Sequence, residues 1–323
     1  KTQGLWNNHP RFMIKTTASA ISWDEWAKNQ GVKVVNVPVG FKEIANIMKK
    51  VELKLKNNPD KEVIIDDVLG NSINLGVNPR LLFGGEESGG MIMGTEELIK
   101  SKAGRFAIAM REKSATEAII VASALISKLQ KEQVSLSEYL TEIFEENNII
   151  GRFDTRVDIA YYNESEPDIN KLKADKIAGE AKRTKNDLFY LSMAIAVKES
   201  KMTIDNVKEV LNNTFKSLLF DNLQSIKFVG DGTYLEFSDK YIEIRPSGTD
   251  AKTKAYGGGA NKAAIETYAN ILGNYSGDLN NFHKKYVSED LYNKTKDIAM
   301  ENYLKFVDKD ANNERFEIPE YKF

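Results

Sequence analysis

Short apolar runs alternate with longer segments of helical periodicity over the first third of the chain, and this alternation constrains the fold more than any other feature. The runs cover residues 12–14, 32–37, 63–65 and 81–83. Strand-length runs separated by helix-length segments are typical of an α/β domain. Residues 114–130 then predict a helix whose apolar stripe packs on the sheet. The stripe consists of Ala118, Val121, Ala122, Leu125 and Leu129.

From Ile226 onward the apolar runs lie close together, which indicates a different kind of domain. They cover residues 226–229, 234–237 and 241–245 and are joined by turns at Asp231-Gly232 and Ser238-Asp239. Strands this close in sequence pair as antiparallel hairpins. We expect an alanine-rich helix at residues 260–272 to cover one face of this sheet. Residues 281–323 are expected to be helical before they become irregular, so the second domain is α+β.

We place the domain boundary after the helix predicted at residues 114–130, which gives domains at 1–131 and 132–323. Just beyond this boundary, Ser135 and Glu138 have the spacing of a capping box that opens another helix. Residues 163–201 show no sharp pattern. A chain of 323 residues with 41% hydrophobic content can build two cores.

Composition narrows the classes of partner and chemistry. Lysine and arginine number 45 against 47 aspartate and glutamate, and no basic tract indicates a nucleic-acid surface. The chain has no cysteine, which excludes disulfides and thiolate nucleophiles and agrees with a reducing compartment. No apolar run approaches the roughly 20 residues of a membrane span, and residues 1–4 do not have the apolar pattern of a signal peptide. We expect a cytoplasmic protein without nucleic-acid or membrane partners. Because the sequence starts at Lys1 rather than methionine, we also expect either processing or a piece of a longer protein.

The loop that follows the last of the close-set runs is suited to phosphate. Arg245 can offer two parallel N–H bonds, Ser247 and Thr249 can donate hydroxyls, and Gly248 lets backbone N–H groups approach the oxygens. The nearby cations are Lys252 and Lys254. From local chemistry alone, an ordinary turn with a solvated arginine is the alternative.

A glycine-rich loop at residues 84–90 leaves another apolar run and is suited to sugar hydroxyls. A carboxylate of this loop can accept two vicinal hydroxyl hydrogens, and Ser88 can act as donor or acceptor. An acidic surface loop is one alternative. A magnesium role for Glu86 and Glu87 is another.

Four segments in a fixed order carry a resemblance to a known family. They are Lys15-Thr16-Thr17, residues 37–42 (Val-Pro-Val-Gly-Phe-Lys), the loop at 84–90, and residues 245–249 (Arg-Pro-Ser-Gly-Thr). This set resembles the signature of the α-D-phosphohexomutases, which include phosphoglucomutase and phosphomannomutase. The resemblance covers residues 15–256. It implies the C-terminal half of a four-domain fold, with a mixed-sheet domain three followed by an α+β domain four that has an antiparallel sheet.

The resemblance also implies roles for individual residues. It makes Glu86 and Ser88 the readers of the sugar hydroxyls. It places Gly40 and Lys42 in a loop that adjusts to the orientation of the substrate. The implied phosphate ligands are Arg245, Ser247, Gly248 and Thr249, with Lys254 nearby. Lys15 is implied as the catalytic residue beside the transferring phosphoryl group, where its charge would stabilise the transition state or assist proton transfer.

The chain departs from the family pattern in several places. Gly90 stands where many relatives have a histidine, and Asp250-Ala251 replaces the commoner Glu-Pro, which is expected to alter loop stiffness. The family's Thr-Ala-Ser-His-Asn-Pro nucleophile loop and Asp-Gly-Asp-x-Asp-Arg metal loop are both absent from the sequence. Residues 17–19 (Thr-Ala-Ser) do not continue into His-Asn-Pro.

By resemblance, the parent enzyme is an isomerase of carbohydrate metabolism that acts as an intramolecular phosphotransferase. It interconverts hexose 1-phosphate and 6-phosphate through glucose 1,6-bisphosphate, which also serves as activator, and uses Mg²⁺ whose ligands are not in this chain. The implied partners are the hexose phosphate and the missing N-terminal domains, and the fragment alone is expected to be inactive. The alternatives are a free-standing phosphosugar-binding protein without catalytic activity and a phosphopentomutase-type parent.

Other candidate sites are weak. His9 and His283 are too far apart in sequence to indicate a metal site or dyad, so we expect structural or exposed roles. Trp23 and Trp26 are expected to pack in a helix. Residues 257–259 (Gly-Gly-Gly) are interpreted as a loop that closes the phosphate site.

Overall fold

The computed structural model describes residues 4–102, 106–110, 114–247 and 250–308. The first half contains eight described strands and four described helices. In chain order they are β1 (Arg11–Thr16), α1 (Ser22–Asn29), β2 (Lys33–Val37), α2 (Phe41–Asn57), β3 (Glu62–Asp66), β4 (Ser72–Val77), β5 (Arg80–Gly85), β6 (Met91–Met93), β7 (Ile99–Lys100), β8 (Phe106–Ala107), α3 (Ala115–Glu132) and α4 (Leu136–Glu146).

The main sheet of this half has the order β2-β1-β5-β6 and is mixed. Strand β1 pairs in parallel with β2 and β5, whereas β5 and β6 are antiparallel. One face packs on the apolar side of α2, and the other packs on α1, where the Trp23 and Phe83 rings meet edge to face at 5.1 Å. Because β2, β1 and β5 are parallel, their carboxyl ends meet at the same edge of the sheet.

The second half adds five strands and five helices within the described residues. They are β9 (Phe153–Ala160), α5 (Ile169–Lys198), α6 (Ile204–Thr214), β10 (Leu223–Val229), β11 (Gly232–Phe237), β12 (Lys240–Pro246), β13 (Lys252–Gly259), α7 (Lys262–Gly273), α8 (Asn281–Lys284) and α9 (Glu289–Asp308).

The strands form one antiparallel sheet with the order β10-β11-β12-β13-β9. Leu235, Ile242 and Ile244 lie on the face that joins the core formed with α5 and α7. The opposite face is rich in polar and aromatic side chains and meets the first half, where the Tyr241 hydroxyl donates to the Ala18 carbonyl at 3.0 Å. The predicted class, a mixed α/β sheet followed by an α+β domain with an antiparallel sheet, is confirmed.

Helix α9 connects the two halves. The Tyr303 hydroxyl donates to the Glu43 carboxylate on α2, and the Lys50 ammonium donates to the Phe306 carbonyl at 2.6 Å. The Phe306 ring packs against the core of the first half. The tail is helical up to Asp308, and the rest of the segment at 281–323 lies outside the described residues.

Two sequence expectations are wrong and two elements were missed. Helix α3 forms as predicted, but Leu129 is the one member of its predicted stripe that is buried, and Ile119, Ile120 and Ile126 are exposed. Residues 257–259 are not a loop but the end of β13. There the absence of side chains allows close packing, since a Cβ on Gly258 would lie 2.6 Å from the Tyr241 ring. Strand β9 and the long helix α5 were not predicted.

Two smaller predictions are confirmed. Ser135 and Glu138 form the capping box at the start of α4. His283 is buried, stacks on Phe189 and lies 3.0 Å from the Ser192 hydroxyl. Among the helices within residues 4–308, none combines the length and apolar content that a membrane span requires.

Candidate functional site

Three of the segments singled out in the sequence lie at the carboxyl edge of the first sheet. Lys15 is near the end of β1, the Pro38–Lys42 region follows β2, and Glu86 follows β5. The polar face of the second sheet covers this edge, so the segments border the cleft between the two halves. The structure therefore brings residues from three parts of the first half next to β12 and β13.

Lys15 is almost completely enclosed. Its side chain is 4% exposed, and its ammonium group lies 2.5 Å from Asp24 Oδ2. It also donates to the carbonyl oxygens of Ser19 and Ala20, each at 3.1 Å. An ammonium group has three N–H donors, so in this conformation all three have a partner. Contact with a phosphoryl group would require Lys15 to exchange one of them.

The glycine-rich loop closes one side of a cavity of ≈ 410 Å³, which we call the loop cavity. Glu86 is buried, and Ser88 Oγ donates to Glu86 Oε1 at 2.8 Å. The wall combines carboxylates with aromatic rings, a composition that suits a sugar. The wall residues include Trp23, Phe83, Glu86, Glu87, Arg156 and Tyr256.

Glu87 links the loop to both halves of the molecule and was not among the predicted sugar readers. Thr16 Oγ1 donates to Glu87 Oε2 at 3.1 Å, and the Tyr256 hydroxyl donates to Oε1 at 3.4 Å. Burial raises the pKa of Tyr256 to about 12, Glu87 acts in the same direction, and Arg245 and Arg156 oppose it. Tyr256 therefore remains a neutral hydrogen-bond donor at pH 7.

The loop between β2 and α2 borders a second cavity of ≈ 500 Å³, which we call the arginine cavity. Gly40 immediately precedes α2 with φ 137°, a backbone conformation that side chains rarely allow. The Lys42 side chain is 74% exposed, and its ammonium lies 3.6 Å from Glu43. The charged residues on the wall are Lys42, Glu43, Arg183, Asp187, Asp231, Arg245 and Lys296.

Arg245 leaves β12 beside this cavity. Its Nε and Nη2 donate to the two carboxylate oxygens of Asp231, each at 3.2 Å. Lys254 lies directly across the ladder on β13, so both side chains are on the same face of the sheet. The guanidinium of Arg245 thus lies at the cleft, with a carboxylate already bound along one of its edges.

The loop after Arg245 is held from outside by α5. Arg183 Nη1 donates to the carbonyl oxygens of Ser247 and Asp250, at 3.1 and 2.9 Å. The Asp250 carboxylate accepts from the Tyr162 hydroxyl at 2.8 Å and lies 2.8 Å from the Lys176 ammonium. Ser247 is buried. The two remaining predicted phosphate ligands, Gly248 and Thr249, lie outside the described residues.

Sequence reasoning missed four residues around these cavities. Glu87 stood inside the loop already singled out, and Asp231 stood in a predicted turn, so a weak signal existed for both. Arg183 lies in a region without a pattern, and Tyr256 becomes relevant only through strand pairing. Within the described residues, no cluster of three or more histidine and acidic side chains is arranged to hold a metal ion.

Comparisons with known proteins bear on the first half of the chain. The model of the alpha/beta/alpha domain III of phosphoglucomutase/phosphomannomutase matches residues 1–147. No protein with a curated description matches the chain.

Two similar solved structures come from bacteria. One is a Thermus thermophilus protein described provisionally as a phosphomannomutase, with 13% identity, a TM-score of 0.38, and coverage of 80% of this chain and 35% of that one. The other is a phosphoglucomutase/phosphomannomutase family protein from Burkholderia thailandensis, with 12% identity, a TM-score of 0.36, and coverage of 96% and 40%. The chain thus spans two fifths or less of their lengths. The family resemblance seen in the sequence is confirmed, since residues 1–147 match domain III of the phosphoglucomutase/phosphomannomutase family.

Proposed function

We propose that the chain is the substrate-gripping half of a phosphoglucomutase or phosphomannomutase and that it binds a hexose phosphate in the cleft between its two sheets. The observation that carries this proposal is the meeting of Arg245 with the carboxyl edge of the first sheet. A guanidinium at one side of the cleft and hydroxyl-reading carboxylates at the other match the two chemical ends of a sugar phosphate.

In this proposal the two cavities divide the substrate between them. Glu86 and Ser88, at the loop cavity, read the sugar hydroxyls. Gly40 and Lys42 adjust to the orientation of the sugar. The idle phosphate is held by Arg245, Ser247, Gly248 and Thr249, with Lys254 adding positive charge.

The proposed reaction of the parent enzyme moves a phosphoryl group between the 1- and 6-hydroxyls through a hexose bisphosphate. The bisphosphate turns around between two transfers, so the site must hold the idle phosphate in one place while the sugar adopts two orientations. Lys15 would contribute positive charge near the transferring group. Phosphoserine and Mg²⁺ would come from the family's nucleophile and metal loops, whose patterns do not occur in this sequence, so we propose that the chain alone is inactive.

Calorimetric titration with glucose 1-phosphate and glucose 1,6-bisphosphate tests the proposal. We expect millimolar or tighter binding that Arg245→Ala abolishes, because the phosphate loses its charged double hydrogen bond. Arg152→Ala is the matched control, since Arg152 is exposed and borders neither cavity. A folded chain that binds neither ligand, or binds them equally well without Arg245, would rule the proposal out.

A further inference from the structure

The turn between β10 and β11 packs against the strand that carries Arg245. Asp231 is at the centre of this turn, and its carboxylate receives the two bonds from Nε and Nη2 of Arg245. The Arg245 side chain is 14% exposed, whereas that of Asp231 is 53% exposed. The pair therefore has an outer carboxylate and a mostly enclosed guanidinium.

Two glycines fix the position of the turn. Gly230 has φ 74°, and a Cβ added to it would lie 3.0 Å from Pro38 Cβ in the loop after β2. On the other side, a Cβ on Gly232 would lie 2.7 Å from Arg245 Cβ. The turn is thus wedged between the first half of the molecule and β12. A carboxylate on such a turn has little freedom to move away from the guanidinium.

The bonds to Asp231 use only part of the guanidinium. Arginine has five N–H donors, and one on Nε and one on Nη2 are directed to Asp231. The two on Nη1 and the second on Nη2 remain for the Tyr256 hydroxyl and for a ligand. Nη1 and the second Nη2 donor form the other edge of the planar group, which can bind two phosphate oxygens side by side.

We propose that Asp231 is a positioning residue that holds the guanidinium of Arg245 by one edge and so presents the other edge to the substrate phosphate. This inference rests on the proposed function, because it assumes that Arg245 reads phosphate. An arginine fixed before binding loses less side-chain freedom when the ligand arrives. Asp231 takes no part in the ligand contact itself.

A competing role has the opposite consequence. If the Asp231 carboxylate occupied the place of the phosphate, it would have to leave before the ligand could bind. The wedged turn argues against this, as Pro38 on one side and Arg245 on the other limit its movement. Asp231 balances the charge of Arg245, but the cavity keeps a positive charge for the ligand because Lys42, Arg183 and Lys296 also border it.

Titration of inorganic phosphate and glucose 1-phosphate into Asp231→Asn distinguishes these roles. Asparagine suits a turn, but its amide cannot accept both N–H bonds of the fork. We expect affinity for both ligands to fall about tenfold, which corresponds to about 1.4 kcal/mol. Asp239→Asn is the matched control. Asp239 occupies the next turn of the same sheet, where it pairs with Lys240 at 3.2 Å at the far end of β12, and we expect no loss there.

The outcomes separate this inference from the proposed function. Tighter phosphate binding in Asp231→Asn would make Asp231 a competitor and overturn the positioning role. Unchanged binding in Asp231→Asn, together with loss in Arg245→Ala, would overturn the positioning role and leave the proposed function standing. Unchanged binding in Arg245→Ala would overturn both.

A spectroscopic measurement separates positioning from a general effect on folding. In protein labelled with ¹⁵N-arginine, the Nε–H signal of Arg245, identified by its absence in Arg245→Lys, should be protected from exchange with water at neutral pH. Asp231→Asn and Asp231→Ser should expose this signal while the thermal midpoint stays close to that of the parent chain. Protection that persists in both variants would overturn the proposal.

Discussion

Glu243 is a carboxyl group with no exposed side-chain surface, two residues before Arg245 on β12. Tyr234 and Tyr256 lie opposite it on the neighbouring strands. Neither carboxyl oxygen meets the geometry of a hydrogen bond, although the Thr17 hydroxyl lies close enough to favour the ionised form. Burial dominates and raises the pKa of Glu243 to about 8. At neutral pH this side chain is therefore mainly protonated, which leaves the cleft more positive than its acidic residues suggest.

This burial makes the stability of the fold depend on pH. In the unfolded chain Glu243 loses its proton near its ordinary pKa of 4.5, whereas in the fold it keeps the proton up to about pH 8. Between these values Glu243 binds a proton when the chain folds. The contribution of Glu243 to the free energy of unfolding therefore falls by about 1.4 kcal/mol per pH unit as pH rises. Above about pH 8 the contribution is fully lost.

Glu243→Gln should remove this dependence, since glutamine has a similar shape and does not ionise. In urea unfolding at pH 5, 6, 7 and 8, the free energy of unfolding of the variant should rise relative to that of the parent chain by about 1.4 kcal/mol per pH unit. Glu236→Gln, at a half-exposed carboxylate on the neighbouring strand, is the control. A difference between Glu243→Gln and the parent that stays constant from pH 5 to 8 would contradict the prediction.

At the scale of elements, the sequence predicted those helices and strands whose burial follows a simple pattern. Strand β1, a short apolar run buried on both faces, and helix α7, which packs on a core from one side, both follow such a pattern. Helix α5 does not. Its first half is largely exposed, and residues 189–196 are all buried, so no stripe at helical spacing exists. The prediction for α3 was wrong for a different reason. Its apolar residues recur at helical spacing, but most of them are exposed.

The residues of the candidate site also fall into those that the sequence could predict and those that it could not. Loops that directly follow strands, such as those after β1, β2 and β5, could be predicted from the order of the segments alone. Contacts across the fold could not. The pairing of Asp231 with Arg245 depends on strand register, and the contact of Arg183 with the loop after β12 depends on a helix that had no sequence signal.

The contacts of Arg183 give α5 a testable role in holding the loop after β12. Arg183→Met removes two hydrogen bonds to loop carbonyls and leaves Asp187, whose pKa burial raises to about 8, without its nearest cation. We expect a loss of about 1 to 3 kcal/mol in the free energy of unfolding and weaker binding of inorganic phosphate. Urea unfolding and calorimetry provide the two measurements.

Lys182→Met is the control for this experiment, because Lys182 is the adjacent, exposed cation on the same helix. It should leave both quantities unchanged. Equal effects of the two substitutions would show that general charge, rather than the contact with Ser247 and Asp250, accounts for the result.

At the scale of the whole molecule, α9 is one of the elements that join the two halves. Phe306→Ala removes a half-buried ring from the core of the first half, where it also lies 4.9 Å from the Lys50 ammonium. We expect the free energy of unfolding to fall by about 1 to 3 kcal/mol. In calorimetry we expect one unfolding transition to separate into two. Leu304→Ala, at a 48% exposed position of the same helix, should leave one transition. A single transition in Phe306→Ala would mean that other contacts couple the halves.

The contacts of α9 with Glu43 and Lys50 lie on α2, whereas the loops proposed to read the sugar and the arginine proposed to hold the phosphate lie on different sheets. The distance between those two groups is therefore set by the angle between the two sheets. Substitutions at α9 positions outside the arginine cavity, such as Phe306, would change that distance without changing a residue that lines either cavity. Under the proposed function, we therefore expect that the preferred size of the phosphosugar can change while the binding motifs in the sequence stay the same.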